Sequence, residues 1–408
     1  MQVATGPTSA PAHRTGSTVV TLVGPDGSPL ADTEVTVEQR SHAFGFGNIG
    51  FDFVEHGTAD AEPWLRLFNQ ATLPFYWGTF EPQQGRTRAA RLHETAAWLV
   101  EQGVRVKGHP LVWHTVQPDW LMEVGGDDEV ERLLREHVRD VVAGFADVIR
   151  LWDAINETVI MPVFDNGANA ITPLAAARGR QHLIRLAFEE ARAANPDATL
   201  VINDFDLSPD YEKVIEEAVA GGVRIDAIGL QTHMHQGYRG EEEILSIVDR
   251  FARFGLPLQL TETTFVSGHL MPAKIDDLND YQVASWPSTP EGEARQADDL
   301  ERHYRSLFGH PAVESITYWG FSDAGAWLGA PSGLVRADGS PKPGYDVLDR
   351  LIRDEWWTAP ARVRTDHAGR VRVEGVAGGY AVTADAATAA FEVRRGDESA
   401  VRVTPATP

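Results

Sequence analysis

From residue 43 to 357, short apolar runs rich in β-formers alternate with helical patterns at a spacing of about 30 residues. The runs are 43–47, 72–77, 104–113, 148–156, 199–205, 227–233, 257–262 and 315–320. Between them, Val130, Leu133, Leu134, Val138, Val141 and Val142 recur at helical spacing behind Asp127 and Asp128. Another helix opens at Thr289-Pro290-Glu291 and stops near Gly309, with proline inside its start and glycine past its end. Eight strand–helix units in series are expected to close into a parallel (β/α)8 TIM barrel, an α/β fold.

The two ends have a different texture. Residues 17–42 read as two short strands around the turn Pro25-Asp26-Gly27. Residues 358–408 read as further strands, with Val371/Val373, Tyr380/Val382, Phe391/Val393 and Val401/Val403 at period two. Neither end alone has enough strands to bury a face. Pairing them gives one small accessory β-sandwich with the barrel, residues 43–357, inserted between. Both segments resemble pieces of the transthyretin-like regulatory fold: "VGPDGSPLADTEVTV" its opening hairpin, "TDHAGRVRVEGVAGGYAVTAD" its next strands. Residues 1–16, rich in small and polar residues, are expected as a flexible tail.

Composition narrows the chemistry. A formal charge of −23 disfavours nucleic acid and anionic membrane as partners, because phosphate would be repelled at long range. The absence of cysteine removes disulfides, thiolate metal sites and cysteine nucleophiles. No apolar run approaches the roughly 20 residues of a membrane span. The first residues lack the apolar stretch of a secretory signal, so a cytoplasmic chain is expected unless a leader has been removed.

In barrels of this kind, function gathers at the carboxyl ends of the strands. Those ends carry Trp77, His109 to His114, Asn156-Glu157, Asn203-Asp204, Gln231 to His235, Thr261-Glu262 and Trp319. Polar groups that grip hydroxyls and flat rings that stack on C–H faces are the mixture that recognises sugars. Glycoside cleavage needs two carboxylates, one to protonate the leaving oxygen and one to attack or to activate water. Glu157, closing "RLWDAINE", and Glu262, closing "LPLQLTE", are the candidates. A single strand-end Glu is more often part of a structural ion pair, so the pair carries the argument.

"LWDAINE" followed by "LPLQLTE", with "GHPLVWH" before and "IGLQTHMH" between, resembles glycoside hydrolase family 10, the xylanase family. The resemblance runs from about Phe68 to Tyr345 and includes "FEPQQG", "VINDFD", "ITYWGFSD" and "GLVRADGSPKPGYD". It implies a retaining glycosidase without cofactor or metal, acting on β-1,4-xylan, xylo-oligosaccharides or related glycosides. Glu157 would be its acid/base and Glu262 its nucleophile. Asn156 would bond the sugar 2-hydroxyl, His233 would hold Glu262, Gln231 would position the carboxyl pair and His109 would contact the same sugar. Trp113, Trp319 and Trp327 would wall the pocket, with Trp77 and Asn203 completing the substrate-binding set. His233 and His235, two apart on one strand face, with His109, His114 and Asp204, also allow a metallohydrolase reading. That reading leaves the paired Glu motifs unexplained.

The resemblance breaks after the second strand. The family's "T-x-E-N-x-x-K-W" is replaced by "ATLPFYWGTFEP", which keeps Trp77 but lacks the Glu, Asn and Lys that grip sugars on the non-reducing side. Val116, Phe205 and Thr264 stand where the family usually has Gln, Tyr and Asp. The segment 267–289 is long enough for a lid or side wall. An apolar-walled cleft also suits release of sugars from a plant glycoside or saponin, as in tomatinase-like relatives. A third reading, from outside the enzymes, is an inactive carbohydrate-binding protein, against which the quartet Glu157, Glu262, Asn156 and His233 argues.

Overall fold

Eight parallel strands close on themselves: β1 (Gly45–Ile49), β2 (Gln70–Pro74), β3 (Arg105–His109), β4 (Leu151–Asn156), β5 (Thr199–Asp204), β6 (Ala227–Leu230), β7 (Leu258–Phe265) and β8 (Val313–Tyr318). The computed structural model describes residues 2–5, 8–164, 169–396 and 398–406. Neighbours in sequence are neighbours in the sheet, β8 returns to β1, and a two-residue strand, His233–Met234, continues β6 alongside β7. Every residue of β7 is buried, as expected of strands covered on both faces.

The layer between the strands and their helices shows why the strands sit where they do. Trp152 of β4 is fully buried and lies flat over Gly108 of β3, where a Cβ would come 2.1 Å from the indole. Phe75 meets that indole edge-on at 4.8 Å and Phe145 at the same distance, sealing β2 to β4 and to the helix that precedes β4. That helix, Asp127–Gly144, buries the residues placed on its apolar stripe from sequence. It differs in its start: Gly126 precedes it without a side-chain cap, and Asp127 and Asp128 lie inside its first turn. The helix Pro290–Phe308 is capped by Thr289, whose Oγ1 accepts from the Gly292 amide at 3.0 Å.

The second compact unit takes in residues 1–45 and 343–408, the first residues 46–342. The sequence boundary at 357/358 therefore moves to 342/343. The helix Pro343–Asp349 and the π-helical segment Arg350–Glu355 stay with the terminal strands, where the Ile352 carbonyl meets His42 at 2.9 Å and the Glu355 carbonyl accepts from the Ser9 amide at 2.8 Å. Two four-stranded sheets make a sandwich, and each draws strands from both chain ends. In one sheet Arg370–Val376 pairs with Thr15–Leu22, and in the other Glu34–Gln39 pairs with Ala361–Arg364 and Gly378–Ala384. Val20, Val37, Val371, Tyr380, Val382 and Phe391 share its core. The tail expected over residues 1–16 is a correction. Val3–Thr5 is an edge strand on Arg370–Val376, and the strand expected from 17 already begins at Thr15, which pairs with Val376.

Gly108→Ala should cost about 2 kcal/mol or more, since the methyl overlaps a buried indole that has no room to retreat. Thermal or urea unfolding would measure it, and an unchanged midpoint would refute the packing just described.

Candidate active site

Glu157 follows the last residue of β4 and Glu262 lies within β7, and a chain of amides joins the two carboxyl groups. Asn156 Nδ2 donates to Glu157 Oε1 at 3.1 Å. Asn203 Nδ2, at the end of β5, donates both to Asn156 Oδ1 at 2.7 Å and to Glu262 Oε1 at 3.0 Å. Gln231 Nε2 adds a second donor to Asn156 Oδ1 at 3.0 Å, and Thr261 Oγ1 donates to Asn203 Oδ1 at 2.6 Å. Each amide is thereby fixed in orientation. Gly229 of β6 permits this, because a Cβ there would lie 2.3 Å from Asn203 Oδ1.

Each carboxyl group has its own surroundings. Trp113 Nε1 donates to Glu157 Oε2 at 2.8 Å, and His114 Nε2 stands 3.7 Å from the same oxygen. Burial pushes the Glu157 carboxyl up to about 8, helped by the charges of Glu262 and Asp204, while Trp113 and Gln231 oppose the rise. Burial also drives the His114 imidazole down to about 4, so it offers no cation to reverse that effect. The Glu157 backbone is left-handed, with φ of 58°, an uncommon state for a residue with a side chain. Its amide donates to the Asn203 carbonyl at 2.8 Å, which fixes the turn.

Glu262 Oε2 accepts from His233 Nε2 at 3.1 Å. On the far side of that ring, His233 Nδ1 lies 2.8 Å from Thr264 Oγ1, so the hydroxyl donates and the imidazole presents its proton to Glu262. His109 Nε2 stands 3.9 Å from Glu262 Oε1, and its Nδ1 donates to Asp153 Oδ2 at 2.7 Å. Asp153 is buried and also pairs with Lys107 at 2.7 Å. Burial raises its carboxyl, but Lys107 and His109 together hold it below the usual carboxylate range.

Rings wall the space around these groups. Tyr76 packs against Trp113 at 5.4 Å, His109 at 5.7 Å and Phe51 at 6.1 Å. Trp319 continues the wall against Phe51 and His109, and Trp327 reaches His233 at 5.0 Å and His235 at 5.2 Å. Segment 267–289 forms a side wall with its own apolar cluster, in which Val266, Met271 and Trp286 pack with Ala330. The Met271 amide donates to the His235 carbonyl at 2.9 Å, tying that wall to the strand ends.

Of the residues singled out from sequence, Glu157, Glu262, Asn156, Asn203, Gln231, His233, His109, Trp113, Trp319 and Trp327 converge here. Trp77 does not. Strand β2 ends at Pro74 rather than at 77, and Trp77 opens a helical turn that carries it outward. There it stacks on His137 at 4.3 Å and donates to Glu81 Oε2 at 2.9 Å. Tyr76 takes the inward position instead; burial and then the charges of Glu262 and Glu157 hold its phenol protonated well above the usual range. Period-two parity held the signal, since Phe75 faces the core and the next residue must face the opening. The hydroxyl of Thr264 beside His233 needed the fold to be seen. Among the described residues no group of three or more His, Asp or Glu is disposed to hold a metal ion, and His233 uses both ring nitrogens on Thr264 and Glu262.

Residues 58–350 match the model of Glycosyl hydrolase family 10. The chain belongs to that family. As a family 10 member it is a glycoside hydrolase built on a TIM barrel. It is 28% identical over 294 residues to endo-1,4-beta-xylanase B of Thermotoga neapolitana, spanning 68% of this chain and 78% of that one. With endo-1,4-beta-xylanase C of Paenibacillus barcinonensis it shares 25% over 328 residues, spanning 69% of this chain but 28% of that longer protein. Among solved structures, a family 10 protein from Paenibacillus barcinonensis superposes with a TM-score of 0.64 at 24% identity, covering 76% of this chain and 94% of that one. Xylanase 10B of Thermotoga petrophila RKU-1, solved with xylobiose, gives 0.63 at 23%, covering 77% and 95%. At that identity these two superpositions bear on the fold.

An acid role for Glu157 would set the upper limit of activity, because burial keeps its proton to about pH 8. The working form is protonated, so kcat/KM for a substrate with a poor leaving group should fall as pH rises through about 8. A flat profile from pH 6 to 10 would remove Glu157 from the acid role.

Proposed function

We propose that the protein hydrolyses β-1,4-linked xylan and xylo-oligosaccharides with retention of configuration, using Glu262 as nucleophile and Glu157 as acid/base. The observation that carries this reading is the hydrogen-bonded chain Glu157–Asn156–Asn203–Glu262 within a family 10 barrel. Family membership and relatives named as endo-1,4-beta-xylanases support the choice of substrate.

The two carboxyl groups divide the work by protonation. Glu262, held by Asn203 and His233, attacks the anomeric carbon as its bond to the departing oxygen breaks. Glu157 delivers its proton to that oxygen. In the second half, Glu157 as carboxylate takes a proton from water, and water oxygen displaces Glu262 from the sugar. Asn156 faces the same space and is the group we assign to the sugar 2-hydroxyl, with its Oδ1 already saturated by two donors and its Nδ2 on Glu157. His109 is the donor we assign to the same sugar ring, and Gln231 the support for the amide chain. Trp113, Trp319 and Trp327 are assigned as stacking surfaces. Tyr76 stands in the segment that lacks the family's polar trio, so this wall grips by stacking more than by directional bonds.

Glu262→Ala should abolish turnover of xylan. Glu157→Ala should lower it by about 10²–10⁴-fold while leaving more activity on nitrophenyl glycosides, whose leaving groups need little protonation. Added azide should restore turnover of those activated glycosides by Glu157→Ala and yield the β-glycosyl azide. Full activity in either variant would refute the roles. Reducing-sugar release from polymeric xylan, set beside cleavage of xylotetraose, tests the substrate, and no release from either would overturn it.

A further inference from the structure

We propose that Asp204 is a positioning residue for the acid/base: its carboxylate staples the left-handed turn carrying Glu157 and places a negative charge behind that side chain. The inference rests on the acid/base role of Glu157 and goes beyond it. Asp204 closes β5, next to Asn203, and is fully buried. Its Oδ2 accepts from Thr158 Oγ1 at 3.1 Å and from the Val159 amide at 3.0 Å, the two residues directly after Glu157. Its Oδ1 accepts from the Asp206 amide at 3.0 Å, and its own carbonyl accepts from the Gln231 amide at 2.9 Å.

Two observations make this more than a loop brace. First, Glu157 has φ of 58°, and the residues after it must turn sharply for its side chain to face the opening. The Asn203 carbonyl fixes the amide before that turn and Asp204 fixes the hydroxyl and amide after it, so β5 grips the acid from both sides. Second, among the described residues the Asp204 carboxylate accepts from Thr158 Oγ1 and the Val159 and Asp206 amides, all neutral groups, and no cation pairs with it. A buried carboxylate satisfied by neutral donors keeps its field. Burial, countered by those donors and raised further by Asp206, leaves Asp204 titrating at about 6. Between pH 6 and 8 it is therefore charged while Glu157 still holds its proton. The groups facing Glu157 are Trp113, His114, Asn156, Gln231 and Glu262; those facing Asp204 are Thr158, Asp206, Tyr211 and Glu157 itself. Of these, Glu262 and Asp204 are the two negative charges that oppose deprotonation of Glu157.

The test compares Asp204→Asn and Thr158→Val with the parent enzyme, on xylotetraose and on a nitrophenyl glycoside. Asp204→Asn keeps an acceptor for the turn but removes the charge, so the basic limb of kcat/KM should move down by on the order of half a pH unit or more. Thr158→Val keeps the charge and removes one staple, so kcat on xylotetraose should fall at least threefold with the limb in place. Both losses should be smaller on the nitrophenyl glycoside. An unmoved limb in Asp204→Asn overturns the charge role, and unchanged kcat in Thr158→Val overturns the staple. Should Asp204→Asn fail to fold, infrared spectra of the protonated Glu157 carboxyl in the parent decide the charge role: a Glu157 C=O stretch that does not shift between pH 5 and 7, as Asp204 ionises, overturns it. If azide fails to rescue Glu157→Ala, the acid/base assignment itself has failed; rescue with an unmoved limb defeats this inference alone.

Discussion

Two carboxyl groups taken out of water in one cavity oppose each other's ionisation, and the catalytic centre depends on how that opposition is resolved. Here the two lie in unlike surroundings. Glu262 receives N–H donors from Asn203 and His233, which complement a negative charge. Glu157 receives one indole and one amide and sits with two carboxylates behind and across from it. The proton therefore stays on Glu157. Asn156 and Asn203 keep this asymmetry from being a matter of chance, because each amide is committed by its own partners to one orientation.

The same logic reaches down the barrel wall. Lys107, Asp153 and His109 form a buried relay between β3 and β4 that ends 3.9 Å from Glu262. The Lys107–Asp153 pair lies beneath the His109 imidazole and gives it a fixed tautomer, with Nδ1 committed to the carboxylate. Trp152 and Gly108 occupy the same pair of strands, so the packing that sets their separation also sets the position of His109.

Most of this was legible in the sequence because strand ends are where apolar alternation meets polar side chains. "INE", "IND" and "LTE" mark those junctions, and the order of motifs supplied the pairing. What escaped follows from two physical causes. Trp77 was misplaced because β2 stops at Pro74, so that parity turns Tyr76 to the opening, and the helical turn that starts at Trp77 carries its side chain outward. Asp204 looked like one more strand-end carboxylate, since the turn it holds exists only once Glu157 adopts its left-handed backbone. At the amino end, small and polar residues suggested a tail, yet backbone amides pair regardless of side chain, and Val3–Thr5 joins a sheet.

The side wall over residues 267–289 carries a consequence for how such an enzyme diversifies. Met271, Trp286 and Ala330 form an apolar cluster of their own, and His269 is held by Tyr281 at 2.8 Å and stacked on Trp286. The wall thus has an apolar core of its own, tied to the barrel by bonds such as that of the Met271 amide to the His235 carbonyl. Substitutions there can recontour the cleft without loosening the staves, so substrate range is free to drift while the machinery that breaks the bond stays put.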